Sequence, residues 1–178
     1  MTRYTLVAPA SHLIEVRHSR FLARSVAIVS AAAAQTALAP LSEPAATHNC
    51  WAWRIGAQFR SSDDGEPAGT AGRPILAAID GQGCDQVLVV VTRWFGGIKL
   101  GAGGLVRAYG GAAAECLRRA EKRELIALAE LEFACPFANL GDAHAALNAA
   151  GAIKFDERFD ADGVTLRVRL PTDRIDDL

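Results

Sequence analysis

The apolar run Val87-Leu88-Val89-Val90-Val91 passes directly into a glycine-rich, cationic segment that extends to Tyr109, and no other stretch of the chain constrains the fold as tightly. Five consecutive apolar, mostly β-branched residues predict a strand covered on both faces. Gly96, Gly97, Gly101, Gly103 and Gly104 then fall within nine positions. Glycine admits positive φ and lets backbone N–H groups approach a ligand without a Cβ in the way. A helix opening after such a loop adds unpaired N–H groups and the positive end of its dipole. Arg93, Lys99 and Arg107 are the only formal charges between residues 86 and 114. The segment reads as strand, anion-binding loop and helix. Its spacing matches neither the P-loop nor the GxGxxG fingerprint.

A polar constellation precedes it. Asp63, Asp64 and Glu66 lie within four residues, in a stretch interrupted by Gly65, Pro67, Gly69 and Gly72. This composition predicts a loop, followed by a helix from about Pro74 to Asp80, since proline suits the first helical position. The three carboxylates are weak candidates for Mg²⁺. Pairing with Arg93, Lys99 or Arg107 is the favoured alternative, so no cofactor is assigned.

Elsewhere the patterning is local and readable. Apolar Val26 to Val29 close a strand-like stretch, and Ser30 is placed to cap a helix over 31–39 that Pro40 stops. Residues 45–60 read as two strands around Gly56. Trp51 and Trp53 share a strand face, where packing is favoured over stacking on bases. Leu105, Tyr109, Ala112 and Cys116 form a stripe at helical spacing, with Arg107 and Arg118 opposite. Gly110 and Gly111 inside that helix suggest close backbone packing. The charged run 118–124 ends the helix and divides a first domain, 1–121, from a second, 122–178. There a strand near 125–134, a helix over 142–150 closed by Gly151, and a hairpin through 160–163 follow. Val164, Leu166, Val168 and Leu170 alternate with polar residues, as in a half-buried strand.

Composition bounds the classes available. Hydrophobic residues make up 51% of the chain, enough for a proper core. Residues 1–120 carry 12 Lys/Arg against 8 Asp/Glu, a net +4, and residues 121–178 carry 7 against 12, a net −5. The first part can meet phosphate, although less densely basic than strong nucleic-acid binders. The acidic second part argues against another RNA surface there. Cys50, Cys84, Cys116 and Cys135 show no CxxC spacing, and the chain begins without an apolar signal segment, which together suggest a reducing, cytoplasmic setting. No apolar run is long enough to span a membrane. His48 and Cys50 lack further Cys/His neighbours to complete a zinc site, and a Cys/His nucleophilic pair needs a base and an oxyanion hole that spacing alone does not supply.

Three blocks carry a family resemblance: Thr47 to Trp53, Ser62 to Gly72, and Thr92 to Tyr109. In order and wording they closely resemble the signature blocks of the YigZ/Impact family, over about residues 15–120. The resemblance implies an α+β, two-domain protein. Its N-terminal domain would have a left-handed βαβ fold, similar to a domain of a small-subunit ribosomal protein and to one of elongation factor G. Its C-terminal domain would be ferredoxin-like, and here it looks shortened by one helix and one strand. The resemblance further implies a translation-linked role, associated with RNA or the ribosome. Eukaryotic Impact proteins regulate stress-dependent translation initiation by competing for a partner of a kinase, and no enzymatic activity carries over.

The leading expectation is a non-enzymatic protein whose cleft between the 63–73 and 93–107 loops binds a phosphate-bearing partner. Arg93, Lys99 and Arg107 would neutralise phosphate, and the backbone of Gly96, Gly97, Gly101, Gly103 and Gly104 would cradle it. His48, Asp63, Asp64, Glu66, Thr70, Arg73 and Tyr109 would support the cleft. A Mg²⁺-dependent enzyme acting on a nucleotide or phosphoester, and a module for a regulatory protein partner, stay open beside it. Oligomeric state is not legible.

Overall fold

The computed structural model describes residues 2–177. The chain divides into two compact units, one ending at Leu125 and the other beginning at Ile126. The first is built on a five-stranded antiparallel sheet of β2 (Ala10–Val16), β3 (Ser19–Ala27), β4 (His48–Ile55), β5 (Gln58–Ser62) and β6 (Val87–Trp94), in the order β2-β3-β6-β4-β5. The apolar run forms the central strand and is buried throughout, as its composition predicts. Val87, Val89 and Val91 face α2 (Gly72–Gly81) and α3 (Gly101–Arg119), and Leu88 and Val90 face α1 (Ala31–Leu41) on the other side. Trp51 and Trp53 pack beside Leu88 and Val90.

This order explains the topology. Strands β3 and β4 are both antiparallel to β6, hence parallel to each other and joined by α1. Strands β5 and β6 are both antiparallel to β4, hence parallel to each other and joined by α2. Viewed with their first strands aligned, both crossovers step the same way across the sheet. Their helices lie on opposite faces, so the two crossovers have opposite hand. One of them is left-handed, against the strong general preference for right-handed connections.

Local signals account for most helix boundaries. The Ser30 hydroxyl accepts the N–H of Ala33 and caps α1, and Pro40 lies in the last turn, which closes one residue later. Helix α2 starts two residues before Pro74, because a distant side chain caps it: Asp63 Oδ1 accepts the N–H groups of Ala71 and Gly72 at 3.0 and 2.8 Å. A Cβ on Gly72 would sit 2.9 Å from the Ser62 backbone, so the close approach requires glycine. The predicted stripe of α3 is fully buried, and Gly110 lies against Pro74.

The division between units comes later than 121/122. Residues Lys122–Leu125 form β7, paired antiparallel with β1 (Arg3–Leu6), so half of the charged run belongs to the first unit rather than to a linker. The second unit comprises β8 (Leu128–Pro136), α4 (Leu140–Ala149), β9 (Ile153–Phe159) and β10 (Gly163–Pro171). Its sheet order, β8-β10-β9, with α4 linking the two parallel outer strands, is the opening β-α-β-β portion of a ferredoxin-like fold. Val164, Leu166, Val168 and Leu170 form its core with Cys135, Leu147 and Ala150. The described residues end in a 3₁₀ turn, Thr172–Asp177.

Candidate anion-binding site

The two loops singled out in the sequence face one another in the first unit. Strand β6 delivers Arg93 at its end, and the 63–72 loop delivers Glu66. Both are buried, at 5% and 8% exposure, and Arg93 Nη1 donates to Glu66 Oε1 at 2.6 Å. Tyr109, from the buried face of α3, donates its hydroxyl to the same oxygen at 2.7 Å. Burial, with Cys50 and Glu66 close by, raises the phenol's pKa, so it stays a donor. The guanidinium lies 5.4 Å from the ring centres of both Phe21 and Phe95, and its Nη2 donates to Ser19 Oγ at 3.3 Å. Its Nε is buried and has no hydrogen-bond partner.

The acidic loop is held from within. Asp63 accepts the N–H groups of Gly69, Ala71 and Gly72. Burial alone would raise its pKa, but these three bonds together with Arg73 outweigh it and hold the carboxyl below its ordinary value. Asp64 Oδ2 accepts the Asn49 N–H at 2.6 Å. His48 Nδ1 is bonded to the Asp64 carbonyl at 2.7 Å, and its Nε2 stands 3.8 Å from Glu66. Thr70 donates to the Pro67 carbonyl at 2.6 Å, and Arg73 is exposed. Cys50 donates to the Asp63 carbonyl, and burial pushes its thiol up to about 12, far from an activated nucleophile. All four cysteines are free and buried. Both Asp63 oxygens and Asp64 Oδ2 are thus engaged with backbone donors, and no cluster of three or more His, Cys, Asp or Glu side chains suited to a metal occurs among the described residues.

The cationic loop is arranged differently. A cavity of about 350 Å³ opens between the two loops, lined by Glu66, Arg93, Phe95, Lys99, Gly101 and Ala102 among others. Helix α3 begins here with Leu100 at the cap position, no side-chain cap and no acidic residue in its first turn. Its first N–H groups therefore lack intrahelical and side-chain acceptors. Gly97 and Gly101 have positive φ, 88° and 75°. Gly96 serves the fold instead: its N–H donates to Ser19 Oγ at 3.2 Å, and a Cβ there would run into the His18 carbonyl. A Cβ on Gly104 would sit 2.9 Å from that of Leu100. Lys99 makes no ion pair or hydrogen bond among the described residues. Arg107 does not join it: it lines a second cavity, of about 210 Å³, together with Arg17.

Of the internal pairings that the sequence allowed, one forms, Glu66 with Arg93. Ser19, Phe21 and Phe95 complete the site and escaped sequence reasoning. Ser19 and Phe21 precede Arg93 by more than 70 positions, and only strand register brings them together. Phe95 stands within the cationic loop, where an aromatic between two cations is the signal.

The first unit is thus a mixed-hand α+β domain whose longest helix opens from a glycine loop beside a buried Arg–Glu pair. Residues 17–117 match the Impact N-terminal domain model, and the chain belongs to the Impact family. It is 50% identical over 156 residues to an IMPACT family member of Thermus thermophilus, covering 88% of this chain and 86% of that one. It is 38% identical over 175 residues to IMPACT family member YigZ of Escherichia coli, covering 94% and 85%. A crystal structure of a hypothetical protein matches with TM-score 0.72 and 35% identity, covering 99% of this chain and 88% of that one. No helix among the described residues is long and apolar enough to cross a membrane.

Proposed function

We propose that this protein binds a phosphate-bearing partner, RNA on or near the ribosome, at the start of α3, and that it does so without catalysing a reaction. The observation that carries the reading is the uncapped, acid-free N-terminus of a 19-residue helix, opening into a cavity that Lys99 and Arg93 line. An anionic oxygen in that cavity meets the helix dipole and the free N–H groups of its first turn at once.

Fluorescence anisotropy of labelled RNA between about 50 and 200 mM salt tests it, because phosphate contacts make affinity fall steeply over that range. Wild-type protein is expected to bind with strong salt dependence, and Lys99→Ala to weaken binding by an order of magnitude without loss of fold. Salt-insensitive binding, or unchanged affinity in Lys99→Ala, would overturn the reading.

A further inference from the structure

The cavity that holds Arg107 is separate from the one that holds Lys99, yet the two share Leu100. Gly101, Ala102 and Leu105 line the first, and Gly104, Arg107 and Ala108 the second. These positions lie on adjoining faces of the same opening turns of α3. The two cavities are therefore neighbours on either side of Leu100.

The second cavity is built rather than incidental. Arg17 and His18 are the two residues between β2 and β3. Both have positive φ, 47° and 66°, where tight hairpins ordinarily place Asn-Gly. Non-glycine residues held in this region are strained, and such strain gathers at functional sites. The turn is fastened to the glycine loop, with Gly96 lying against the His18 carbonyl and donating to Ser19 Oγ. That contact fixes Arg17 relative to α3. Arg107 leans back along the helix toward its N-terminus, as helical side chains do. Its Nη1 lies 3.4 Å from where a Cβ on Gly103 would stand, so the guanidinium lies over the first turn of the helix. Neither Arg17 nor Arg107 has an ion pair or hydrogen bond among the described residues, whereas Arg118 and Arg119, farther along the same helix, are both taken up by Glu115.

Resting on the reading above, we infer that Arg17 and Arg107 form a second phosphate subsite, and that the two cavities hold successive phosphates of one single-stranded nucleic acid. A free nucleotide or inorganic phosphate fills only one of them. Phe95, 46% exposed at the rim of the first cavity, gives an unpaired base a face to stack on. In a duplex the bases stay within their own stack and cannot reach it.

The test measures anisotropy of fluorescein-labelled oligouridines of two, four and eight nucleotides, and of an RNA duplex, across a salt series. The full chain is used as wild type, Arg17→Gln/Arg107→Gln, Arg17→Lys/Arg107→Lys and Lys99→Ala, each checked by circular dichroism. Wild type should tighten with strand length and prefer the single strand. The Gln pair should lower the slope of log affinity against log salt by about 0.7, since the subsite holds one phosphate and each phosphate neutralised on a single strand contributes about that much, and should flatten the length dependence. The Lys pair should restore both. An unchanged slope in the Gln pair, with Lys99→Ala still losing binding, would overturn the second subsite and leave the first reading standing. Equal affinity for duplex and single strand would overturn the ligand class. Failure of the wild type to bind any RNA would overturn both.

Discussion

Arginine is used on opposite terms in the two units. In the first, Arg93 is almost wholly buried, has one carboxylate partner and lies between two phenyl rings. In the second, Arg167 is half-exposed, stands within 4.0 Å of Glu130, Glu132 and Asp156, and covers Phe155 with Arg169. A buried pair with a single partner has no redundancy, and an exposed lattice has a great deal. The same contrast explains the charge asymmetry of the chain. Glu130 and Glu132 of β8 and Asp156 of β9 surround the cations of β10 in the second unit, while Arg17, Lys99 and Arg107 in the first have no carboxylate partner among the described residues.

The sharpest way to break the comparison is Glu66→Ala. Removing the carboxylate leaves the Arg93 guanidinium buried and uncompensated, and strips Tyr109 of its acceptor. Breaking a buried pair from one side costs about 3–5 kcal/mol. Urea unfolding should show a loss of that size. A loss under about 1 kcal/mol, the range of exposed pairs, would erase the distinction between the units.

Asp63 comes next. It is acidic like Glu66, but its partners are three backbone N–H groups rather than a cation. Asp63→Asn weakens the cap of α2 and the turn before it, and a cost of about 2 kcal/mol is expected for charge-assisted bonds of this kind. The carboxyl titrates lower in the folded chain than its ordinary value of 3.8. Its stabilisation is therefore full above the unfolded value and disappears as pH falls through the folded one. Wild type and Asp63→Asn should differ most above pH 5 and converge in acid. A difference that does not shrink below pH 3.8 would show that the ionised form is not what holds the loop.

How much of this was readable depends on the distance over which each signal acts. The central strand, the buried stripe of α3 and the alternation of Val164 to Leu170 depend on periods of two and 3.6, which a linear sequence displays. The glycine loop was legible as an opening to a helix, but not that Gly96 serves the hairpin beneath it. That role requires the turn at Arg17 and His18, nearly eighty positions earlier, to be folded against it. The cap of α2 was missed for a related reason. Capping residues are sought next to the helix they cap, whereas Asp63 reaches Ala71 and Gly72 across an intervening turn. The β1–β7 ladder joins the two ends of the first unit, and its charged residues look like a solvated face until their register is known. Residues 122–125 therefore read as a continuation of the charged run after α3, although they close the first unit.

The smallest effect belongs to the second unit. Arg169 donates to Glu130 at 2.8 Å, and its guanidinium lies 4.6 Å from the Phe155 ring centre. If exposed charges share their partners, Arg169→Ala transfers little burden, because Arg167 also lies near Glu130 and on the same ring. A loss of about 0.2–1 kcal/mol is expected, diminishing further in salt as screening removes the Coulomb part. The double change Arg167→Ala/Arg169→Ala should cost more than the sum of its singles, since only then do Glu130, Glu132 and Asp156 face one another unopposed and Phe155 lose both its covers. Strict additivity in a double-mutant cycle would mean that the two arginines act independently. The lattice would then be two isolated surface pairs, and the redundancy that separates it from the Arg93 site would be absent.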